Sequence, residues 1–296
     1  MFSPAKINLY LNILGKREDG YHELDSIFLK LSFGDDLEFF ENDSGEIRLE
    51  TVSLLNSPQK EDFELVSEKG DFTKNILYKT FQKAKALKKI EKGVHIRLTK
   101  RIPTGGGLGG GSSNAAALLK YLFPERMKNP DKEFLQFAGS IGADVPFFLY
   151  DKNCIVRGIG EICEPLDLHI PNQGLLAVPK FSIPTKESFI SLKKDLLKTL
   201  PSKSWKILNE GDITQLNQGN LSFFREQFLN EFENYAFQLH PILQELKQCF
   251  YDSGAVFTLM TGTGACVYSF WDKQKPDLSS LKGRFPEIQF ISFYVL

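Results

Sequence analysis

Cysteine is scarce in this chain and carries no pattern. Cys154, Cys163, Cys249 and Cys266 are the only four in 296 residues, with no CxxC pair. That excludes the usual zinc spacings and a disulfide framework, and leaves ordinary thiols expected in a reducing compartment. An excess of either charge is also missing: 36 Lys and Arg balance 37 Asp and Glu, for a net charge of −1. Broad nucleic-acid binding leaves a basic footprint that this balance lacks, and the densest local basic run is Lys79 to Lys92. No apolar run approaches the ~18–20 residues of a membrane span. Patterned sequence begins by Ser3, so no signal or transit peptide is expected. Repeats and low-complexity tracts are absent. What remains is a soluble intracellular protein, 42% hydrophobic and 25% charged. A chain of this length suggests two domains and buries roughly 75% of its unfolded surface, so it needs no structural metal.

The apolar periodicity mixes strands with helices. Ile7, Leu9, Leu11 and Ile13 alternate with Asn8, Tyr10 and Asn12, which predicts a half-buried strand with Lys6, Asn8 and Tyr10 on its other face. Gly15 to Gly20 reads as a charged turn, and Ser26 to Phe40 as further strand. Ile76, Leu77, Phe81, Ala84, Leu87 and Ile90 follow helical spacing, with Thr73 as cap and Gly93 as stop. Val94, Ile96 and Leu98 then alternate with His95, Arg97 and Thr99. A helix is expected from about Ser113 to Phe123, stopped by Pro124, and another from near Asp131. Later, Leu175 to Val178 reads as strand, Phe224 to Tyr235 and Ile242 to Phe250 as helices parted by Pro241. Ala255–Met260 and Ala265–Phe270 form a strand pair around Thr261-Gly262-Thr263-Gly264, and Gln289 to Val295 alternates again. Strands of alternating character interleaved with helices predict an α+β fold whose sheets have one covered face.

Pro103-Thr104-Gly105-Gly106-Gly107-Leu108-Gly109-Gly110-Gly111-Ser112-Ser113-Asn114 is the most informative stretch. Six glycines in seven positions cost backbone entropy and stabilise no regular element. They let the backbone approach a ligand, and a helix starts directly behind them with its unpaired N–H groups. That combination is an anion site, with phosphate its usual occupant. Three familiar patterns fail. Gly105, Gly107 and Gly110 satisfy GxGxxG, but the preceding strand alternates and Pro103 intervenes, unlike a dinucleotide-binding unit. No lysine follows the loop as a P-loop requires. Asn114 stands where the nucleophile elbow needs glycine.

The run from Pro103 to Ala116 resembles the phosphate-binding motif of the GHMP kinases (galactokinase, homoserine, mevalonate and phosphomevalonate kinases). Ser3-Pro4-Ala5-Lys6-Ile7-Asn8-Leu9, Arg17 to His22, Gly142-Ala143-Asp144-Val145-Pro146 and Thr261 to Cys266 extend the resemblance from Ser3 to about Phe270. They narrow it to a branch whose acceptor alcohol carries a cytidine diphosphate. The resemblance implies a ribosomal-protein-S5-like N-terminal domain over residues 1–157, binding ATP, and a ferredoxin-like C-terminal domain over 158–296.

Phosphoryl transfer to an alcohol needs a held triphosphate, positive charge near the moving phosphoryl, and a group that accepts or orients the hydroxyl proton. Lys6 is the best local cation. Asp144 is the best carboxylate, standing in an otherwise uncharged run, Ser140 to Tyr150. The resemblance implies that these two meet at the reacting hydroxyl, with Asp144 as base. It further implies that Pro103, Gly105, Gly106, Gly107, Leu108, Gly109, Gly110, Gly111, Ser112, Ser113 and Asn75 bind ATP. On the acceptor side, Tyr21 and Phe189 are stacking rings for cytosine and His22 an edge contact, while Asn8, Asn12, Thr185, Gly262 and Thr263 are polar candidates. Magnesium (Mg2+) arrives with ATP, and no acidic cluster marks a metal cage. The chain departs from the family pattern at Lys74-Asn75-Ile76-Leu77, where related enzymes often carry Asp before Asn. The remaining expectations are a bacterial cytoplasmic location and a monomer or weak homodimer.

Three rivals are weighed on residues. Another kinase of the family needs no aromatic clamp for a base, which Gly20-Tyr21-His22 supplies. A non-catalytic nucleotide sensor could dispense with Lys6 and Asp144, and both are present. An NAD-binding oxidoreductase needs a Rossmann unit that Val94 to Ile102 does not supply.

Overall fold

A computed structural model describes residues 1–55, 72–87, 90–192, 208–272 and 276–296. They divide into two compact units. One comprises Met1–Ala5, Gly34–Thr104 and Gly109–Asp151; the other comprises Lys6–Phe33, Gly105–Leu108 and Lys152–Leu296. Two strands, β1 (Phe2–Lys16) and β2 (His22–Asn42), each run from one unit into the other.

In the first unit β3 (Ile47–Ser53) pairs in parallel with β4 (Gly93–Lys100), and β4 pairs antiparallel with the end of β2. The expected alternation of β4 holds: Val94, Ile96 and Leu98 are buried while Arg97 is exposed. Helices Ile76–Leu87 and Gly110–Leu122 supply Leu77, Phe81, Ala117 and Leu118 to a core completed by Leu37, Ile47, Val94, Ile96 and Leu98. Burying a side chain such as Phe81 stabilises by about 1.5–3 kcal/mol. The first of these helices starts later than its expected cap. Thr73 lies inside a 3-10 turn, Phe72–Lys74, and Asn75 Oδ1 instead accepts from Leu77 N at 2.9 Å. Lys88 and Lys89, in the expected last turn, lie outside the described residues. Helix Gly110–Leu122 starts three residues earlier than expected, because the left-handed Gly109 (φ 70°) takes the cap position and Ser113 bonds elsewhere.

In the second unit the beginning of β2 pairs with β5 (Asn153–Gly158), and β5 pairs with β6 (Ile162–Leu166). A second sheet is antiparallel throughout: β7 (Gln173–Pro179), β8 (Phe257–Met260), β9 (Val267–Trp271) and β10 (Ile288–Phe293), in the order β10-β7-β9-β8. The architecture is α+β, as the patterning predicted.

Two expectations need correction. β1 is not half-buried, for Lys6, Asn8 and Tyr10 are as inaccessible as Ile7 and Leu9. Its polar face stays buried because it is hydrogen-bonded: Asn8 Nδ2 donates to Ser26 Oγ at 3.0 Å, and Tyr10 Oη to Asp25 Oδ2 at 3.1 Å. Phe224 to Tyr235 is not one helix. A 3-10 turn, Leu221–Phe224, and a helix, Glu233–Leu239, flank a stretch that bridges to β1 between Leu11 and Asn230. Phe224, Phe228 and Phe232 are all buried at helical spacing, but Glu231 N donates to Leu11 O of β1 and Leu229 O accepts from Leu11 N, which interrupts the helical ladder.

Candidate active site

Lys6 and Asn8 lie two apart on β1, so strand alternation puts both side chains on one face. Lys6 Nζ donates to Asn8 Oδ1 at 2.8 Å and stands 4.3 Å from the centre of the Phe28 ring. The same Asn8 oxygen accepts from Gly262 N at 2.9 Å, while Asn8 N donates to Thr261 Oγ1 at 3.2 Å. Asn8 O accepts from Tyr268 Oη at 2.8 Å. Sequence residues 253 apart thus share one buried hydrogen-bond cluster, and it includes the second glycine turn. Asn12 follows on β1, half-buried.

The glycine loop enters this cluster at its first half. Lys6 N donates to Leu108 O at 2.9 Å. Gly105 (φ 72°) and Gly107 (φ 76°) are left-handed, a region open to glycine at little cost. A Cβ on Gly107 would stand 2.3 Å from Thr261 O, and one on Gly106 would stand 2.7 Å from Cys266 Sγ. These glycines therefore answer to each other's turn. Burial pushes the Cys266 thiol up to about 12, so it packs as an apolar group beside the loop. Thr185 and Thr263, the two threonine candidates, have their hydroxyls 3.2 Å apart.

The ring candidates separate. His22 and Phe189 pair with centroids 5.0 Å apart at 30°, and Phe232 stands edge-on behind Phe189 at 4.9 Å and 78°. Tyr21 is 59% exposed in the turn after Asp19, whose carboxylate accepts from Tyr21 N at 3.1 Å. Arg17 Nη1 reaches Glu23 at 3.2 Å, and Glu23 in turn accepts from Gly158 N, which pins the turn to β5.

The first unit holds the rest of the loop and the helix behind it. Ser3 Oγ is 2.7 Å from both Ser113 Oγ and Asn114 Oδ1. Asn114 Nδ2 donates to Asp35 Oδ2, which also takes Lys100 Nζ at 2.7 Å; Asp35 Oδ1 takes Arg101 N and Ile102 N at 2.7 and 2.8 Å. One fully buried carboxylate therefore ties the end of β4 to the first turn of the helix, with Pro103 and the glycines between. Burial lowers the Lys100 ammonium below its ordinary value, while Asp35 draws it back up. Gly110 is filled from Ile102 and Lys100, but Gly111 is exposed with only Ile76 at 3.7 Å. Ser112 is half-buried on the same turn, and Pro103 is buried. Asp144 is half-buried at the cap position of helix Val145–Leu149, and its carboxylate makes no capping bond there.

Sequence reasoning missed Asp35, Ser26, Asn230 and Glu233. Asp35-Asp36 in the interior of a strand was the available signal, since Asp is depleted in strands. Asn230 and Glu233, set among Phe228 and Phe232, looked like the polar face of a helix.

Comparison with known proteins gives a consistent result. The family signature "GHMP kinases N terminal domain" matches residues 75–152, and "GHMP kinases C terminal" matches residues 206–278. The 4-diphosphocytidyl-2-C-methyl-D-erythritol kinase of Leptospira biflexa is 40% identical, over 98% of this chain and 96% of that protein. The enzyme of the same name from Thermotoga maritima is 34% identical over 96% of each. A crystal structure of 4-(cytidine 5'-diphospho)-2C-methyl-D-erythritol kinase superposes with a TM-score of 0.73 at 27% identity, covering 100% of this chain and 98% of that one. Among the described residues no helix is long and apolar enough to cross a membrane.

Proposed function

The chain belongs to the GHMP kinases, and from that premise we propose that it transfers the terminal phosphoryl of ATP to the 2-hydroxyl of 4-diphosphocytidyl-2-C-methyl-D-erythritol. ADP and the 2-phosphate are the products, and the step belongs to isoprenoid-precursor synthesis without mevalonate. The observation that carries this reading is similarity along the whole chain, 40% identity over 98% of it, to a kinase of that name.

The site chemistry fits the reaction. The amides at the start of helix Gly110–Leu122 face the triphosphate, where the helix dipole favours anions. Asn75 and Pro103 to Ser113 form the ATP side. Lys6 supplies the positive charge. Its Nζ is oriented by Asn8 Oδ1 and backed by the Phe28 ring, so its direction is set before substrate arrives. Asp144 accepts or orients the proton of the attacking hydroxyl. His22, Phe189 and Tyr21 receive the cytosine, and Asn12, Thr185, Gly262 and Thr263 the erythritol and diphosphate.

Among the described residues no three acidic, histidine or cysteine side chains converge as a metal cage. That donor set suits Mg2+ carried by phosphate oxygens, which keeps waters and takes few protein ligands; Ser112, on the helix's first turn, is the hydroxyl we assign to it. The ion supplies charge neutralisation at the phosphates. We assign residues 1–157 to the ATP-binding N-terminal domain, whose Asn12, Tyr21 and His22 also reach the acceptor, and 158–296 to the C-terminal domain of a bacterial cytoplasmic enzyme, a monomer or weak homodimer.

Product analysis tests the reading. Incubation with Mg-ATP and the cytidyl alcohol should give a phosphate monoester at the 2-hydroxyl by ³¹P NMR. Asp144→Asn should lower kcat by about 10²–10⁴-fold while ATP still binds, the range for a lost general base. A variant that turns over at the wild-type rate would remove Asp144 from the chemistry.

A further inference from the structure

Leu229 to Phe232 lead into helix Glu233–Leu239 but are not themselves helical, although Phe228 and Phe232 keep helical spacing. Two of their backbone groups pair with β1: Leu11 N donates to Leu229 O at 2.8 Å, and Glu231 N to Leu11 O at 3.1 Å. Ile13 N adds a bond to the Glu231 carboxylate at 3.0 Å. Anchored this way, the stretch sends three side chains toward residues on the acceptor side.

Asn230 Nδ2 donates to Met260 O and to Gly262 O, both at 2.8 Å, and its Oδ1 accepts from Phe232 N at 3.0 Å. Both of its hydrogens are used, and only 3% of the residue is exposed. Glu233 Oε1 accepts from Met260 N at 2.9 Å, with Lys247 on the other oxygen at 2.6 Å. Both backbone polar groups of Gly262 are thereby held, its C=O by Asn230 and its N–H by Asn8. Asn8 Oδ1 is also the acceptor for the Lys6 ammonium. Between the two polar residues, Phe232, 1% exposed, stands edge-on against Phe189, which pairs with His22.

We propose that Leu229–Glu233 is a positioning element, whose Asn230 sets the second glycine turn, and with it Asn8 and the Lys6 ammonium, while Phe232 sets the ring that receives the acceptor's base. The proposal rests on the kinase reading above. A segment that merely connected two elements would leave its polar side chains in water; here they go to the turn.

Asn230→Asp keeps shape and removes both N–H donors. With rates normalised to the fraction of enzyme that binds ATP, kcat should fall about 10²-fold, the scale of a ~1 Å misplacement, with both KM values within about threefold of wild type. Phe232→Leu should instead raise KM for the cytidyl alcohol about 3- to 10-fold, the scale of one lost ring contact, with kcat and the ATP KM unmoved. That split cannot come from partial unfolding, and it decides the question if Asn230→Asp fails to fold. Normal wild-type transfer together with variants unchanged in every parameter would overturn the positioning role. Wild type that transfers nothing to the cytidyl alcohol would instead count against the function reading. Amide exchange over residues 259–263 then decides the clamp by itself: faster in Asn230→Asp supports it, unchanged overturns it.

Discussion

Glycines with the same letter do different work at neighbouring positions. Gly107 is left-handed and abuts Thr261 O, so Gly107→Ala meets both a backbone clash and a left-handed penalty of about 1–2 kcal/mol. Its melting temperature should fall. Gly111 has ordinary helical backbone, exposure, and one distant neighbour. Gly111→Ala should therefore melt at or above wild type, since alanine is favoured in a helix by about 0.5–1 kcal/mol. If phosphate packs against that turn, its KM for ATP should nevertheless rise. Thermal melts paired with ATP kinetics separate the two cases; an unchanged ATP KM in Gly111→Ala would remove phosphate from the helix start. Cys266 offers a second residue-level check. Burial pushes its folded-state thiol from an ordinary 9.0 up to about 12, so the folded form holds more protons between those values. The associated stability is intact below pH 9 and is lost as pH rises toward 12. Denaturant melts from pH 9 to 11 should show that loss, and Cys266→Ala should reduce it, the remainder coming from the tyrosines Tyr251 and Tyr268, which burial also pushes up. At pH 8 an alkylating reagent should label half-buried Cys163 before Cys266.

At the scale of elements, the approach to the glycine loop is governed by the Asp35 carboxylate. Asp35→Asn removes the carboxylate charge of a buried ion pair with Lys100 and should cost about 3–5 kcal/mol in denaturant unfolding. Lys100→Met leaves Asp35 with Arg101 N, Ile102 N and Asn114 Nδ2, so its loss should be smaller. Equal losses would mean that the amides contribute little. Most elements were legible in the sequence because their signals are local. Alternation marked β4, Asp131 capped helix Lys132–Ile141 by accepting from Phe134 N, and Pro241 parted two helices. The failures share a cause. β1 looked half-exposed, and Phe224 to Tyr235 looked helical, because the partners that changed the outcome (Ser26, Asp25, Leu11, Met260) are distant in sequence. Periodicity reports which residues are apolar; it does not report which polar ones will find a buried partner.

For the molecule as a whole, the family and the α+β class could be read from motif order alone, whereas the packing units could not. Those units are discontinuous, since β1, β2 and the glycine loop each pass from one to the other. Lys6 and Asp144 stand in different units. The central claim is the acceptor's identity, and the most direct test is ADP release from Mg-ATP with four parallel acceptors: the cytidyl alcohol, mevalonate, homoserine and none. Release with the cytidyl alcohol should stand well above the other three. Equal or greater release with mevalonate or homoserine, or none with any acceptor by enzyme that binds ATP, would contradict that claim.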